Sequence, residues 1–572
     1  MAALCALAHA GARSASAQRS TLAVGEARTQ VPCNGKAIAD VSVLSLPPSY
    51  GGVISETPWL NRLATSVHMT TEPHVVENLV LLKKGAPCSA LLRLETERLL
   101  RAQPFLADAS VTAYAVGADS VRVEVVTIDE PAVLGSVGVK SGNPFLRAFQ
   151  FGNANVRGRG VSALAGWRDG GVYRDTWLLR YSNFQLFSAP VQMHVTAIRP
   201  DHGFEVAGQV TYPFFMDVQP RAWRVAAGAS EILVPFQFPG QLPVSLGVRR
   251  QFVDAGAVAR IGEPGKLTIV GGSVTLERGA PVGEPVVVTD SGLVPDSGEP
   301  LRDRYNVFRS SRVNLLIGYR LVNFLRVSGF DALSGTQDMR RGVQAALTVG
   351  RGLGVAGGSR DELFMSGNLY GGVGSAVSFA GLEVLAEGRR VGGTWQNLLV
   401  SGRFGTYFRP HRRHTVTGSV EYSAGRDQWL PFQLALGDPR GGLRGYEDAE
   451  VGGAARLVGR LEERWRIGNI RGNGDMGVAL FGEVGKLWAG DAPYGRSTNP
   501  VPSVGVAVLA AVPPRSRRIW RLDVAFPLHH TPGAQWGMRL TNEDRTRAFW
   551  NEPNDVRRNR ERSGLVTAFV VP

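Results

Sequence analysis

Long apolar runs are what this chain most clearly lacks. No stretch of eighteen or more apolar residues follows its first few residues, although 44% of the 572 residues are hydrophobic. This absence excludes membrane-spanning helices, which need about 20 predominantly apolar residues. It does not exclude membrane-spanning strands, whose alternating lipid-facing and lumen-facing residues average to a neutral hydropathy. The mean hydropathy of −0.04 fits strands, and the chain is too long for one ordinary globular domain.

Cysteine is also scarce, with three in the whole chain. Cys5 lies in an apolar start that leads to Ala15-Ser-Ala17, which is typical of a secretory signal ending at residue 17. The basic stretch that usually opens such a signal is missing, so the true start codon can lie upstream. Removal of residues 1–17 would leave Cys33 and Cys88 in an oxidising compartment. The sequence leaves two states open for them, a disulfide or two buried free thiols.

Acidic residues are fewer than basic ones, 49 against 63, and the excess is arginine scattered along the chain. Scattered charge disfavours nucleic-acid binding, which needs a basic patch or helix. The short basic blocks at 515–518 and 557–562 are predicted to be solvated turns or loops.

Sequence motifs of catalysis are missing. Residues 352–357 match a dinucleotide-binding glycine pattern in letters, but no strand-helix-strand unit surrounds them. No Gly-x-Ser-x-Gly elbow and no cluster of metal ligands stands out. The sequence therefore predicts no enzyme, no cofactor and no metal site.

A small α+β domain is predicted for residues 36–130. Alternation at 37–46 predicts a strand, and a helix is predicted at 59–67. A second helix is predicted to start near Ser89 and to run to Ala102. Two alternating stretches, 109–115 and 120–128, predict a β-hairpin after it.

From about residue 145 to the C-terminus, short alternating segments follow one another with turn residues between them. In 455–467 five of the six even positions are charged and most odd positions are apolar. The same parity places Phe481, Glu483 and Gly485 opposite a row of apolar residues. These segments reach ten or more residues, which favours a transmembrane antiparallel β-barrel over a soluble sandwich.

Several motifs have the spacing of one known superfamily. They are Arg444-Gly-Tyr446, Glu462-Glu-Arg464, Phe481-Gly-Glu-Val-Gly485, Arg521-Leu-Asp523 with Pro527-Leu528, and Asn153-Ala-Asn155 with Gly158-Arg-Gly160. Through them the chain resembles the BamA/TamA-type outer-membrane assembly factors and two-partner secretion transporters. The predicted α+β domain at 36–130 resembles one polypeptide-transport-associated (POTRA) domain through Lys84-Gly85, Leu94–Leu100, Gln103–Leu106 and Val111.

That resemblance implies a mainly β fold, with one POTRA domain followed by a barrel of about sixteen strands over 145–572. It implies a loop that tucks into the lumen and is anchored there by Arg444, Gly445, Tyr446 and Glu483. It places a second set of side chains on the lumenal face as support: Glu462, Arg464, Phe481, Gly485 and Asp523. The chain departs from the family in carrying Glu483 where Asp is commoner, and in ending on Pro572 without a terminal aromatic residue.

The function implied by the resemblance is insertion of client proteins into a bacterial outer membrane, or their passage across it, without nucleotide hydrolysis. The expected partners are unfolded outer-membrane or secreted proteins, the lipid bilayer and accessory assembly subunits, with the N-terminal domain in the periplasm. Clients would pair with the exposed edge of the 109–128 hairpin and with a weak seam between the first and last barrel strands. A passive pore and a surface-exposed structural protein, dependent on loops such as 531–563, are the alternatives.

Overall fold

A computed structural model describes residues 29–48, 69–140, 145–169, 175–238, 240–289, 291–296, 301–470, 472–531 and 533–560. The expected signal at 1–17, the expected helix at 59–67 and the chain end after residue 560 lie outside these described residues.

In the residues that the structure describes, the N-terminal domain is a four-stranded sheet with two helices packed against it. Its elements are β1 (Asn34–Leu46), α1 (Pro73–Glu77), β2 (Pro87–Ser89), α2 (Ala90–Arg101), β3 (Leu106–Val116) and β4 (Ser120–Asp129). The strand order is β2-β1-β4-β3, with β1 parallel and β3 antiparallel to β4.

Local sequence accounts for the second helix and the hairpin of this domain. The Ser89 hydroxyl accepts a hydrogen bond from the N–H of Leu92 and so caps the start of α2. Along β4, Val121, Val123 and Val125 are fully buried because alternate residues of a strand face the same side, here the helices. The helix and the hairpin thus lie where the periodicity predicts them.

The rest of the chain forms one closed antiparallel barrel, with twenty strands in the part of the chain that the structure describes. Its strands follow one another around the wall in chain order, and the last strand pairs with the first. The first nine wall strands are β5 (Val133–Lys140), β6 (Leu146–Asn153), β7 (Val161–Arg168), β8 (Thr176–Leu186), β9 (Val191–Pro200), β10 (Gly203–Tyr212), β11 (Arg221–Phe236), β12 (Val244–Glu263) and β13 (Lys266–Thr289). After the short strand β14 (Gly292–Pro295) and helix α3 (Leu301–Arg304), the wall continues with β15 (Phe308–Ser328), β16 (Thr336–Gly352), β17 (Leu363–Gly374), β18 (Ser378–Val391), β19 (Thr394–His411) and β20 (His414–Arg426). After the short pair β21 (Leu434–Ala435) and β22 (Gly452–Gly453), the last five wall strands are β23 (Ala455–Ile470), β24 (Gly474–Trp488), β25 (Val501–Ala511), β26 (Arg518–Pro527) and β27 (Gly537–Asp544).

The expected count of about sixteen strands is wrong. The strands β5, β6 and β7 span 8 residues each, whereas β12 and β13 span 20 and 24. Because the first strands are short and joined by short connections, the first part of the wall contains more strands than a uniform strand length would give. The wall also begins at Val133, ahead of the expected domain start at residue 145.

Alternation along the wall strands separates an apolar outer face from a polar inner face. In β23, Leu461 and Ile467 are each 61% exposed, whereas Arg456 is 2% exposed. In β24, Leu480 is 53% exposed and Glu483 is 5% exposed. This is the pattern of a wall with lipid on its outer side. Separately, no helix among the described residues is long and apolar enough to cross a bilayer.

In the described part of the chain, two segments fill the inside of the barrel. The lumenal loop, residues 427–454, connects β20 to β23 and contains β21 and β22. The C-terminal strap, residues 545–560, follows β27 and contains α4 (Asn554–Asn559). Tyr446 of the loop and Val556 of the strap belong to one buried apolar cluster. The polar inner face of the wall therefore meets protein.

The N-terminal domain packs against one mouth of the barrel. Arg101 in α2 pairs with Asp338 in β16 at 3.0 Å, and Arg98 donates to the carbonyl of Phe215, between β10 and β11, at 2.8 Å. At the turn between β6 and β7, the Asn155 amide donates to the Thr71 hydroxyl at 2.8 Å. The 153–160 motif, one of those that carry the resemblance, thus lies mainly in a turn that contacts the domain.

The basic turn between β25 and β26 completes this docking surface. Arg517 donates to the Gln103 carbonyl at 2.9 Å, and Arg518 donates to the Pro131 carbonyl at 2.6 Å. Burial raises the pKa of Glu130, which accepts from this turn, and the Arg518 and Arg517 guanidinium groups oppose that rise. Arg517 and Arg518 are 3% and 5% exposed, so the prediction of a solvated turn at 515–518 is wrong for both. Carbonyl groups of the docked domain lose water here and need these donors.

Candidate functional site

The lumenal loop brings its arginine to the wall through a tight bend. Gly445 has a φ of +85°, in the left-handed region that favours glycine. A Cβ at Gly442 would lie 2.0 Å from the Leu436 carbonyl oxygen, so a side chain cannot fit there. The Ser503 hydroxyl in β25 donates to the Arg444 carbonyl at 2.6 Å and fixes the bend.

Arg444 lies against Glu483, the pair that the resemblance implies. Its Nε and Nη2 both donate to Glu483 Oε1, at 2.9 and 2.7 Å. The Arg444 backbone N–H donates to the other carboxylate oxygen at 2.9 Å. Both oxygens of a buried carboxylate are therefore satisfied from one loop residue, which is a strong, charge-assisted arrangement.

Three of the expected supporting residues surround the same guanidinium. Arg444 Nη1 donates to Asp523 Oδ1 at 2.7 Å, and Glu462 Oε2 lies 3.6 Å from Nη2. The Phe481 ring lies flat beneath the group, with 3.4 Å between the ring centroid and Arg444 Cζ. Carboxylates from three strands, β23, β24 and β26, and one aromatic ring thus hold the arginine in a single orientation.

Further arginines complete the charge balance. Arg521 donates to both oxygens of Glu462 at 2.7 and 2.8 Å, and to Asp523 at 2.8 Å. Arg464, an expected supporting residue, donates to Glu462 at 2.5 Å. Arg460 lies 3.5 Å from Glu483. Sequence reasoning did not select Arg460 or Arg521 as site residues, although both lie on the charged face that parity assigns to their strands.

Two smaller features seat the loop. The Tyr446 hydroxyl donates to the Pro502 carbonyl at 2.9 Å, and its side chain is fully buried. At Gly485, a Cβ would lie 2.8 Å from Leu443, so the missing side chain makes room for this loop leucine. Of these two expected residues, Tyr446 therefore holds the loop by a hydrogen bond, and Gly485 leaves space for it.

The arrangement is suited to holding a loop. Each carboxylate in it faces at least one guanidinium, so no carboxylate is left unpaired to hold a cation. Among the described residues, no three His, Cys, Asp or Glu side chains are grouped to hold a metal ion. We interpret the site as a mechanical anchor.

The seam where the wall closes is its shortest pairing between consecutive wall strands in the described chain. Gly537–Thr541 of β27 pairs with Ser136–Lys140 of β5, five residues on each side. By comparison, Arg312–Ser328 of β15 pairs along its length with β16. The seam therefore has fewer ladder hydrogen bonds to break than other joints.

The edge of the N-terminal hairpin is covered, which corrects the expectation of an exposed edge. β4 is central, so β3 provides the only hairpin edge. The Ala113 carbonyl accepts from the Val31 N–H at 2.9 Å, and the Ala115 N–H donates to the Thr29 carbonyl at 3.1 Å. Nearer α2, the Val111 N–H donates to the Glu97 carboxylate at 3.0 Å. A client strand would have to displace these partners.

Cys33 and Cys88 are joined by a disulfide. Both lie in the buried core of the N-terminal domain. The bond fixes residues just beyond the 29–31 segment to β2, and so holds that segment close to the domain.

No protein-family model matches the chain, and no curated protein sequence matches it. Among solved structures, BamA from Haemophilus ducreyi lacking POTRA domains 1–3 is 12% identical with a TM-score of 0.40, covering 89% of this chain and 85% of that one. CdiB from Escherichia coli is 12% identical with a TM-score of 0.45, covering 89% and 76%. The ferric preacinetobactin receptor BauA from Acinetobacter baumannii is 9% identical with a TM-score of 0.35, covering 76% and 84%.

Proposed function

We propose that this protein is an outer-membrane barrel of the BamA/TamA and two-partner secretion type, which inserts client polypeptides into the membrane or passes them across it. The observation that carries the proposal is the five-residue seam between β27 and β5. The role is mechanical, with no catalytic step. The N-terminal domain is proposed to be a POTRA domain in the periplasm.

The seam supports this role through its unused backbone groups. Residues 542–544 of β27 and 133–135 of β5 have no partner across the joint. A strand edge with unpaired N–H and C=O groups is a surface on which another strand can form. Opening the five residue pairs would extend these unpaired edges along both strands as a template for an extended client segment.

The docked N-terminal domain supports it through position. The chain passes from β4 at Asp129 into β5 at Val133, so the domain lies directly beside the seam. A client that displaces residues 29–31 from β3 would be delivered next to the opening strands. The lumenal loop anchor would keep the neighbouring wall, β23 to β26, rigid while the seam opens.

A cysteine staple across the seam tests this proposal. Ser136 and Thr541 are paired in register, so a Ser136→Cys/Thr541→Cys bridge would lock the joint. The matched control is Thr348→Cys/Ser366→Cys, a register pair between β16 and β17. Outer-membrane protein levels, measured by mass spectrometry in host cells that make only the variant, are expected to fall with the seam staple and to recover on reduction. Equal levels with both staples would show that the seam does not open.

A passive diffusion pore is the main rival. The lumen holds the loop at 427–454 and the strap at 545–560, and the domain covers one mouth. The structure also gives less support to a surface protein that depends on loops in 531–563, because 537–544 is a wall strand and 545–560 lies inside the barrel. Steady conductance from the untreated protein in planar bilayers would favour the pore.

A further inference from the structure

The chain does not stop at the wall after its last strand. At the end of β27, the Asp544 carboxylate accepts from the N–H and hydroxyl of Thr546, at 2.9 and 2.6 Å, and the chain turns inward there. The strap then passes Gly381 and reaches Glu387, six residues further along β18. Six residues of strand correspond to about 20 Å, so the strap follows the lumen axis.

An aromatic side chain fixes the first part of the strap. The Phe549 ring lies over two glycines of the wall, and a Cβ would come within 2.8 Å of it at Gly381 and 3.1 Å at Gly405. Tyr370 packs edge-on against the same ring, with 5.8 Å between centroids. Arg403 donates to the Phe549 carbonyl at 2.5 Å. The wall thus provides a recess shaped for this ring.

Ion pairs fix the second part. Arg560 lies 3.0 Å from Glu387 and donates to the Ser401 hydroxyl at 2.8 Å. Asp555 accepts from Arg456 of β23 at 2.6 and 3.0 Å. On another side of the lumen, Arg250 of β12 donates to the Arg560 carbonyl at 3.0 Å. The strap therefore touches the wall at β12, β18–β19 and β23, which lie around the lumen.

The strap also contacts the N-terminal domain. Arg547 donates to the carbonyl of Ala102, the C-cap residue of α2, at 3.1 Å. At its other end, Val556 is fully buried among loop residues Phe432 and Leu434. One short segment thus joins the domain, the wall and the lumenal loop.

We infer that residues 545–560 form an internal plug that closes the lumen at rest and must leave its recess before a polypeptide or solute passes. Release of the N-terminal domain removes the Arg547 contact and so favours departure of the plug. The inference goes beyond the proposed function, since it applies to any molecule that uses the lumen.

Single-channel conductance in planar lipid bilayers tests the plug in the full-length protein. Arg517→Ala/Arg518→Ala first frees the domain from the mouth, so that the domain no longer masks the lumen. In that background, Phe549→Ala/Arg560→Ala is expected to raise the open conductance severalfold. The matched control, Arg557→Ala, removes an exposed arginine of the same strap and is expected to change nothing. Equal conductance with and without the plug substitutions overturns the inference.

A second measurement covers the case in which these substitutions prevent folding. Ser401 and Glu552 are hydrogen-bonded to each other, so Ser401→Cys/Glu552→Cys can be bridged by a short, cleavable thiol cross-linker. Bridging is expected to abolish openings in the domain-released background, and cleavage is expected to restore them. A bridged protein that opens as often as the cleaved one refutes the plug. Neither result depends on client insertion, so the plug and the seam can fail separately.

Discussion

Replacement of Arg444 by alanine should release the lumenal loop while the barrel stays folded. The guanidinium makes three hydrogen bonds, two to Glu483 and one to Asp523. Removing one partner of a buried charge pair costs about 3–5 kcal/mol. Arg460 remains 3.5 Å from Glu483, and Arg521 remains on Asp523, so we expect about 3 kcal/mol. That corresponds to a roughly 10²-fold larger population of the open loop.

Hydrogen exchange of the loop amides at 434–453 measures this opening directly. The control is Arg440→Ala, which removes an exposed arginine of the same loop. Arg444→Lys should give an intermediate loss, because a lysine keeps the charge but lacks the fork that reaches two carboxylates. Retained heat-modifiable migration on denaturing gels would show that the wall is intact.

A double variant distinguishes the loss of the ion pair from the cost of leaving the Glu483 carboxylate buried without its partner. Arg444→Ala/Glu483→Gln removes both members, so its loss of protection should be smaller than that of Arg444→Ala alone. Client assembly or export should also fall further in Arg444→Ala than in the double variant, because the loop is released more often. Unchanged protection in Arg444→Ala, relative to the Arg440 control, would refute the anchor.

Other predictions concern packing, the disulfide and domain docking. Gly485→Val should displace the loop leucine and lower stability by about 1–3 kcal/mol, while Gly482→Val, where a Cβ meets nothing within 4 Å, should not; thermal unfolding compares them. Cys33→Ser/Cys88→Ser opens a link of sequence separation 55 and should destabilise the N-terminal domain by about 2–4 kcal/mol, seen as a lower urea midpoint; an unchanged midpoint contradicts this. Arg517→Ala leaves buried carbonyl groups without donors and should hasten proteolytic release of the N-terminal domain. Arg515→Ala, which removes an exposed arginine of the same turn, should not.

Much of the candidate site follows from local pattern. A strand alternates its side chains with a period of two, so the parity of β23 and β24 assigns Arg456 and Glu483 to the inner face without any knowledge of the fold. The family resemblance carried by the loop motif at 444–446 implies which residue meets Glu483, and the Ser89 cap predicts where α2 begins. The same parity places Arg460 and Arg521 on the inner face, although neither was expected to be a site residue.

The strand count, the covered hairpin edge, the docked turn and the plug were decided by tertiary structure. Alternation tells which face a residue occupies but not which strand lies beside it, and closure of a barrel depends on that pairing. The basic turn at 515–518 has the composition of a solvated loop, but Arg517 and Arg518 are buried because carbonyl groups from another part of the chain meet them there. Residues 545–560 likewise have no local signal for entering the lumen. Their place depends on glycines and charges in distant strands, which the sequence separates and only the closed barrel brings together.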